Sequence, residues 1–220
     1  MIKAFIFDLD GVIVDTARYH FLAWERLAKE LGFTFTESQN EALKGVSRMQ
    51  ALDILLDIGG IDASPAEKER LASRKNEWYV EYLNDLTHDS MLPGAADFIK
   101  ATHQLGIRTA LGSASKNART ILEKLDIVND FEVIVDGTMT SRAKPDPQVF
   151  ELGAQQLGVP NESCVVFEDA QAGIEAANAA NMIAVGIGSP DNLKGAALVM
   201  PSLDLMTPEL LIEKLENHLK

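Results

Sequence analysis

The sequence predicts an α/β protein with a doubly wound parallel-sheet core and an all-helical insert. Three observations predict it. Short continuous apolar runs recur and end in polar residues, as strands buried on both faces do. Helix-patterned stretches separate them, and alternation of strand and helix is the signature of a parallel sheet. One stretch, from about residue 15 to 86, shows helical patterns alone.

The elements follow in order. Ala4-Phe5-Ile6-Phe7 is the first apolar run and stops at Asp8. In the insert, Phe21, Trp24, Leu27, Ala28 and Leu31 stand at helical spacing, as do Leu52, Leu55 and Leu56. Ser64-Pro65-Ala66-Glu67 reads as a helix start, with Ser as cap, Pro in the first turn and Glu three residues on. Gly45 and Gly59-Gly60 punctuate these helices, and Pro93-Gly94 marks the return to the core. Further strands are predicted at 107–111, 133–135, 164–167 and 183–187, and helices at 95–104, 116–125, 148–157 and 170–180. The core domain is thus 1–14 with 88–220, and a cap domain is 15–87. Val14-Asp15 and Leu86-Thr87 are the linkers expected to hinge.

Composition narrows the function classes. Hydrophobic residues make up 46% and charged residues 24% of 220, which excludes a disordered or fibrous chain. The one cysteine, Cys164, cannot form an intrachain disulfide, favours a reducing compartment and reads as a small core residue. A net charge of −13 argues against nucleic acid or an anionic membrane as partner. The apolar stretch at 1–9 is too short for a signal peptide, and no run approaches the roughly 18 residues of a membrane span. The expectation is a cytoplasmic protein, monomeric by default.

Ligands of open parallel sheets bind beyond the carboxyl ends of the strands. There the sequence puts Asp8-Leu9-Asp10-Gly11, Gly112-Ser113-Ala114-Ser115-Lys116-Asn117, Lys144 before the helix at 148, and Glu168-Asp169. Converging carboxylates repel unless a cation joins them, and hard oxygen donors suit Mg²⁺. An aspartate can attack phosphorus and form an aspartyl phosphate. A second carboxylate two residues on can protonate the leaving oxygen. Ser113 and Lys144 could hold the phosphoryl oxygens.

These residues also carry a resemblance. Residues 7–16, Phe-Asp-Leu-Asp-Gly-Val-Ile-Val-Asp-Thr, resemble the opening motif of the haloacid dehalogenase superfamily. Ser113, Lys144 and Glu168-Asp169 fall where its second, third and fourth motifs are expected. In the insert, His20-Phe21-Leu22-Ala23-Trp24, Leu43-Lys44-Gly45-Val46-Ser47-Arg48 and Arg74-Lys75-Asn76 resemble the cap of the β-phosphoglucomutase family, as Ser113-Ala114-Ser115-Lys116-Asn117 resembles its core. The resemblance implies a Rossmann-like core and interconversion of β-D-glucose 1-phosphate and glucose 6-phosphate. The implied route runs through an aspartyl phosphate and β-glucose 1,6-bisphosphate, with Mg²⁺.

It also implies roles. Asp8 is the nucleophile; Asp10 is the general acid and base, with its carbonyl on the metal. Asp8, Asp10, Glu168 and Asp169 make up the metal site. Ser113 and Lys144 bind the transferring phosphoryl, and Lys144-Pro145 is cis. Arg48, Ser115, Lys116 and Asn117 hold the distal phosphate. His20, Trp24, Val46 and Lys75 line the cap side, and Thr16, Lys44, Gly45, Ser47, Asn76 and Ala114 complete the substrate contacts. Ala51, Ser73 and the segment 136–142, with its Arg142, depart from the pattern.

Blander readings stand beside these. Glu168-Asp169 could cap the helix that follows. Residues 113–117 could be a plain helix-entry loop, Trp24 core packing, and Lys75 part of a solvated face. Arg48 opens a helix, where a cation is not favoured, and that oddity supports an anion-binding role. The competing functions are a sugar-phosphate phosphatase on the same nucleophile and, more remotely, a non-catalytic phospho-acceptor or binding protein.

Overall fold

The structure is a computed structural model and describes residues 1–43 and 46–218. Strand β1 (Ala4–Phe7) is followed by helices α1 (Ala17–Glu30), α2 (Glu37–Asn40), α3 (Arg48–Gly59) and α4 (Pro65–Tyr82). Alternation then sets in with α5 (Ala95–Gln104), β2 (Arg108–Gly112), α6 (Ala118–Lys124), β3 (Val133–Val135), α7 (Gln148–Leu157), β4 (Cys164–Glu168), α8 (Gln171–Ala179) and β5 (Ile183–Ile187). The chain closes with β6 (Leu198–Met200) and α9 (Pro208–His218). Two compact units result: Met1–Asp15 with Thr87–Lys220, and Thr16–Leu86.

The first unit is built on one six-stranded sheet in the order β3-β2-β1-β4-β5-β6, every pairing parallel. This is the Rossmann order, and its direction reverses between β1 and β4. β1 therefore lies inside the sheet with neighbours on both edges and its four residues are all buried, which is why it reads as an unbroken apolar run. Period-two alternation sorts its side chains. Phe5 and Phe7 join Phe98, Phe131 and Phe167 on one face, with Phe7 and Phe167 stacked at 4.7 Å between ring centres. Ala4 and Ile6 join Ala110, Cys164 and Val166 on the other, under Phe150, Ala154 and Leu157 of α7 and Ile174 and Ala177 of α8. Cys164 is fully buried, and burial raises its thiol to about 11, so it is packing rather than a reactive group.

Among its described residues the second unit has helices and their connections but no strand. Each long helix after α1 starts on a hydroxyl cap. Ser47 and Gln50 form a reciprocal capping box, and the Ser64 hydroxyl accepts from the Glu67 N–H with Pro65 in the first turn. Ala23, Trp24, Leu27 and Ala28 of α1, Leu52, Leu55 and Leu56 of α3, and Leu71, Ala72, Trp78 and Tyr79 of α4 are buried.

The β2, α6 and α8 boundaries shift by one or two residues from expectation, the ordinary scatter of element ends. Strand β6 and helices α2 and α9 are additions. Among the described residues no helix is long and apolar enough to cross a membrane.

Candidate active site

The carboxyl end of β1 sits at the reversal point of the sheet. Phe7 is in register with Leu111 of β2 and Phe167 of β4, so the next residue of each strand falls at one level. The Asp8 N–H donates to the Phe167 carbonyl at 2.9 Å, which continues the ladder by one rung and fixes the Asp8 backbone. Lys144 enters from the loop before α7. Its Nζ lies 2.5 Å from Asp8 Oδ1, 2.5 Å from Glu168 Oε1 and 3.2 Å from the Gly112 carbonyl. The second Glu168 oxygen accepts the Ala170 N–H at 2.9 Å. Glu168 thus satisfies an amide at the start of α8 while it faces Lys144.

All three charged groups are buried. Burial disfavours the Lys144 ammonium, but the Asp8 and Glu168 carboxylates outweigh it and hold the amine above its ordinary value. Burial pushes Glu168 up despite Lys144. Two carboxylates and one ammonium in an apolar surrounding leave an excess negative charge, which a further cation would relieve. The Lys144-Pro145 peptide is cis, as the resemblance implies.

Asp10 opens the turn after β1, bridging to Val14, and the Gly11 N–H donates to the Val14 carbonyl at 2.8 Å. Gly11 has φ +83°, a left-handed conformation suited to glycine. A methyl group there would also overlap the Asp169 carboxylate. Asp169 therefore lies against the backbone of the Asp8-Asp10 turn. Among the described residues no three His, Cys, Asp or Glu side chains converge on one point. Mg²⁺ does not require that, since it keeps several waters and uses one or two protein carboxylates. The Asp8 and Asp169 carboxylates with a backbone carbonyl of the turn suit it chemically.

The loop after β2 is held by its own hydroxyls. The Ser113 N–H donates to the Val135 carbonyl at 3.0 Å. Its Oγ accepts from the Ser115 N–H at 3.1 Å, and Ser115 Oγ accepts from the Asn117 N–H at 3.2 Å. The Gly137 N–H ties the loop to the segment after β3 through the Ser115 carbonyl at 3.1 Å. Ser113 is buried, Ala114, Ser115 and Asn117 are half-buried, and Lys116 is exposed.

The helical unit holds a separate basic and aromatic cluster. His20 and Trp24 stand one turn apart on α1, and Lys75 and Tyr79 one turn apart on α4. The pairs face each other. Lys75 Nζ lies 2.9 Å from His20 Nδ1, 4.4 Å above the Trp24 ring centre and 4.7 Å above that of Tyr79. The His20 and Tyr79 rings are 4.0 Å apart. Burial, then Lys75 and Arg48, hold the half-buried His20 imidazole well below its ordinary value. Neutral, it can accept at Nδ1 from the Lys75 ammonium. Burial also lowers Arg48, the first residue of α3.

Lys75 is 2% exposed, so the solvated-face alternative falls. Trp24 is buried in packing and also forms the face on which the Lys75 ammonium rests. The Ser47 hydroxyl is engaged in capping α3. Thr16 is buried and its carbonyl accepts the His20 N–H at 3.0 Å; Val46 and Asn76 are half-buried. Lys44 and Gly45 lie outside the described residues. Arg142 pairs with Asp146 at 2.6 Å, Ala51 is buried in α3 and Ser73 is exposed. Tyr79 is an unanticipated member of the cluster, although its one-turn spacing from Lys75 is visible in the sequence.

A family model described as haloacid dehalogenase-like hydrolase matches residues 2–181. The chain is 43% identical over 218 residues to a β-phosphoglucomutase of Bacillus subtilis (strain 168), covering 98% of this chain and 96% of that one. It is 30% identical over 221 residues to a phosphorylated carbohydrates phosphatase of Thermotoga maritima, covering 99% and 100%. A crystal structure of β-phosphoglucomutase from Clostridium difficile superposes with a TM-score of 0.96 at 42% identity, covering 100% of this chain and 99% of that one.

Proposed function

Because the chain belongs to the haloacid dehalogenase-like hydrolase family and, within it, to the β-phosphoglucomutase family, we propose that it interconverts β-D-glucose 1-phosphate and glucose 6-phosphate. The observation that carries the chemistry is Lys144, buried and held 2.5 Å from both Asp8 and Glu168.

Asp8 is the phosphoryl acceptor. Its carboxylate oxygen attacks phosphorus, the bond from phosphorus to the sugar oxygen breaks, and that oxygen takes a proton from Asp10. Run in reverse on the other hydroxyl, the aspartyl phosphate returns the phosphoryl group while Asp10 accepts the hydroxyl proton. β-Glucose 1,6-bisphosphate is the compound that links the two halves. Lys144 keeps its proton through the cycle, since both carboxylates favour the charged form, and it offsets charge on the phosphoryl oxygens. Ser113 adds a hydroxyl there. Glu168 holds Lys144 in place more than it serves a metal, because both its oxygens have partners. Asp8, Asp169 and the Asp10 carbonyl would hold Mg²⁺, which supplies charge neutralisation at the transferring phosphoryl.

The family resemblance assigns the distal phosphate to Ser115, Lys116 and Asn117 of the loop after β2 and to Arg48, the first residue of α3. Lys44 and Gly45 extend this assignment on sequence resemblance. His20, Trp24, Val46, Lys75 and Asn76 of the 15–87 cap domain are assigned to the sugar on the same resemblance. A cytoplasmic monomer acting on soluble sugar phosphates accords with the acidic charge and the single buried cysteine.

A sugar-phosphate phosphatase is the second reading, favoured by the full-length similarity to the Thermotoga maritima phosphatase. One assay separates them. β-Glucose 1-phosphate is supplied with Mg²⁺ and a trace of glucose 1,6-bisphosphate, and glucose 6-phosphate and inorganic phosphate are followed together, with the α anomer as control. Glucose 6-phosphate in large excess, from the β anomer alone, is the expected result. Inorganic phosphate in excess makes the protein a phosphatase.

A further inference from the structure

We propose that Gln148 is a positioning residue that acts through Lys144. It is the first residue of α7, half-buried, directly before the buried Val149 and Phe150 that anchor that helix in the core. Its Oε1 accepts from two backbone N–H groups, those of Ser141 and Arg142, each at 2.9 Å. Its own N–H donates to Asp146 Oδ1 at 3.0 Å, while Asp146 Oδ2 pairs with Arg142 Nε at 2.6 Å and the Asp146 N–H donates to the Ala143 carbonyl at 3.0 Å. The segment 141–148 is therefore closed on itself, and Lys144 is in its middle.

The physical need is clear. Lys144 must place one ammonium between two carboxylates and a carbonyl, at the end of a stem with four rotatable bonds. Side-chain packing alone does not set where such a stem begins. The loop that carries it has no helix or strand pairing of its own, so its position is borrowed from α7 through the Gln148 amide. An amide oxygen has two lone pairs and meets both N–H groups. The whole device lies within the core unit. It rests on Asp8 being the phosphoryl acceptor.

The test uses the full-length protein with Mg²⁺ and acetyl phosphate. The Asp8 oxygen–phosphorus bond forms, the phosphorus–oxygen bond to acetate breaks, and acetate leaves with the electron pair. Intact-protein mass spectrometry follows the gain of one phosphoryl group in wild type, Gln148→Met and Gln148→Glu. Methionine keeps the volume and removes the acceptor; glutamate keeps the acceptor. The methionine variant should be phosphorylated about tenfold to a hundredfold more slowly, with the glutamate variant within about threefold of wild type and both melting as wild type does. A methionine variant at the wild-type rate overturns the proposal, as does equal slowing of both variants, which would mean a general effect on the start of α7. A wild type that takes up no phosphoryl group on Asp8 overturns the acceptor reading itself, and this assignment with it.

Discussion

Gly173 lacks a side chain where the carboxyl group of Glu168 needs the space. A methyl group on Gly173 would overlap the Glu168 carboxyl carbon, which reaches across the start of α8 to meet Lys144. Gly173→Ala must therefore move a carboxylate that is held on both oxygens. The expected cost is about 1–3 kcal/mol of stability, the usual scale of overpacking, with a fall in turnover as Lys144 loses its second partner. Thermal melts and initial rates check both. An alanine variant with wild-type melting and rate would show that Glu168 shifts freely.

Asp8→Asn should separate chemistry from folding. The variant loses the attacking carboxylate, so turnover should drop by at least about a thousandfold. It also turns two carboxylates and an ammonium into one carboxylate and an ammonium, which removes the excess charge from a buried place. The melting temperature should hold or rise. Retained turnover would end the nucleophile assignment.

His20 should make stability pH-dependent in one direction. Its folded-state value is lowered, first by burial and then by Lys75 and Arg48. Unfolded, it takes up a proton near its ordinary value of 6.5; folded, it does so only at lower pH. The stability it contributes is complete above 6.5 and is lost as pH falls below it, by up to about 1.4 kcal/mol for the first pH unit. In melts between pH 7.5 and about 5.5, His20→Asn should show a shallower decline than wild type. Parallel curves would mean that the imidazole takes up its proton at the same pH folded and unfolded.

Asp169 should govern the response to magnesium. Chelation should stop turnover and added Mg²⁺ should restore it. Asp169→Ala should raise the Mg²⁺ concentration for half-maximal rate by at least about tenfold, a scale that even outer partners of a metal reach. Asp169→Ala with an unchanged Mg²⁺ dependence would remove Asp169 from the metal site.

Much of this is legible before any coordinates. Ala4 to Phe7, Cys164 to Phe167 and Ile183 to Ile187 announce themselves because strands inside a parallel sheet are apolar without interruption. Ser64 and Pro65 announce α4 through cap chemistry. Leu198 to Met200 does not announce β6. Three residues of an edge strand, two of them only half-buried, carry no period. In the site, motif order brings out Asp8, Lys144 and Glu168 but not their meeting, since 136 positions separate Asp8 from Lys144 and 24 separate Lys144 from Glu168. Gln148 is invisible for another reason: it acts through a backbone contact, and backbone contacts leave no residue type behind to read. Tyr79 is half visible, at helical spacing from Lys75 but indistinguishable there from any buried aromatic.

The order of the strands has a consequence in time. β1 is complete once Phe7 has been made, yet its neighbours are Arg108–Gly112 and Cys164–Glu168. A ribosome must go on as far as Glu168 before β1 has both of its edges covered. Helices of 16–86 need only near neighbours and can gather well before that, as low-separation contacts do. Asp8 is thus synthesised well before the strands that surround it. The nascent chain carries no assembled acceptor until β4 has joined.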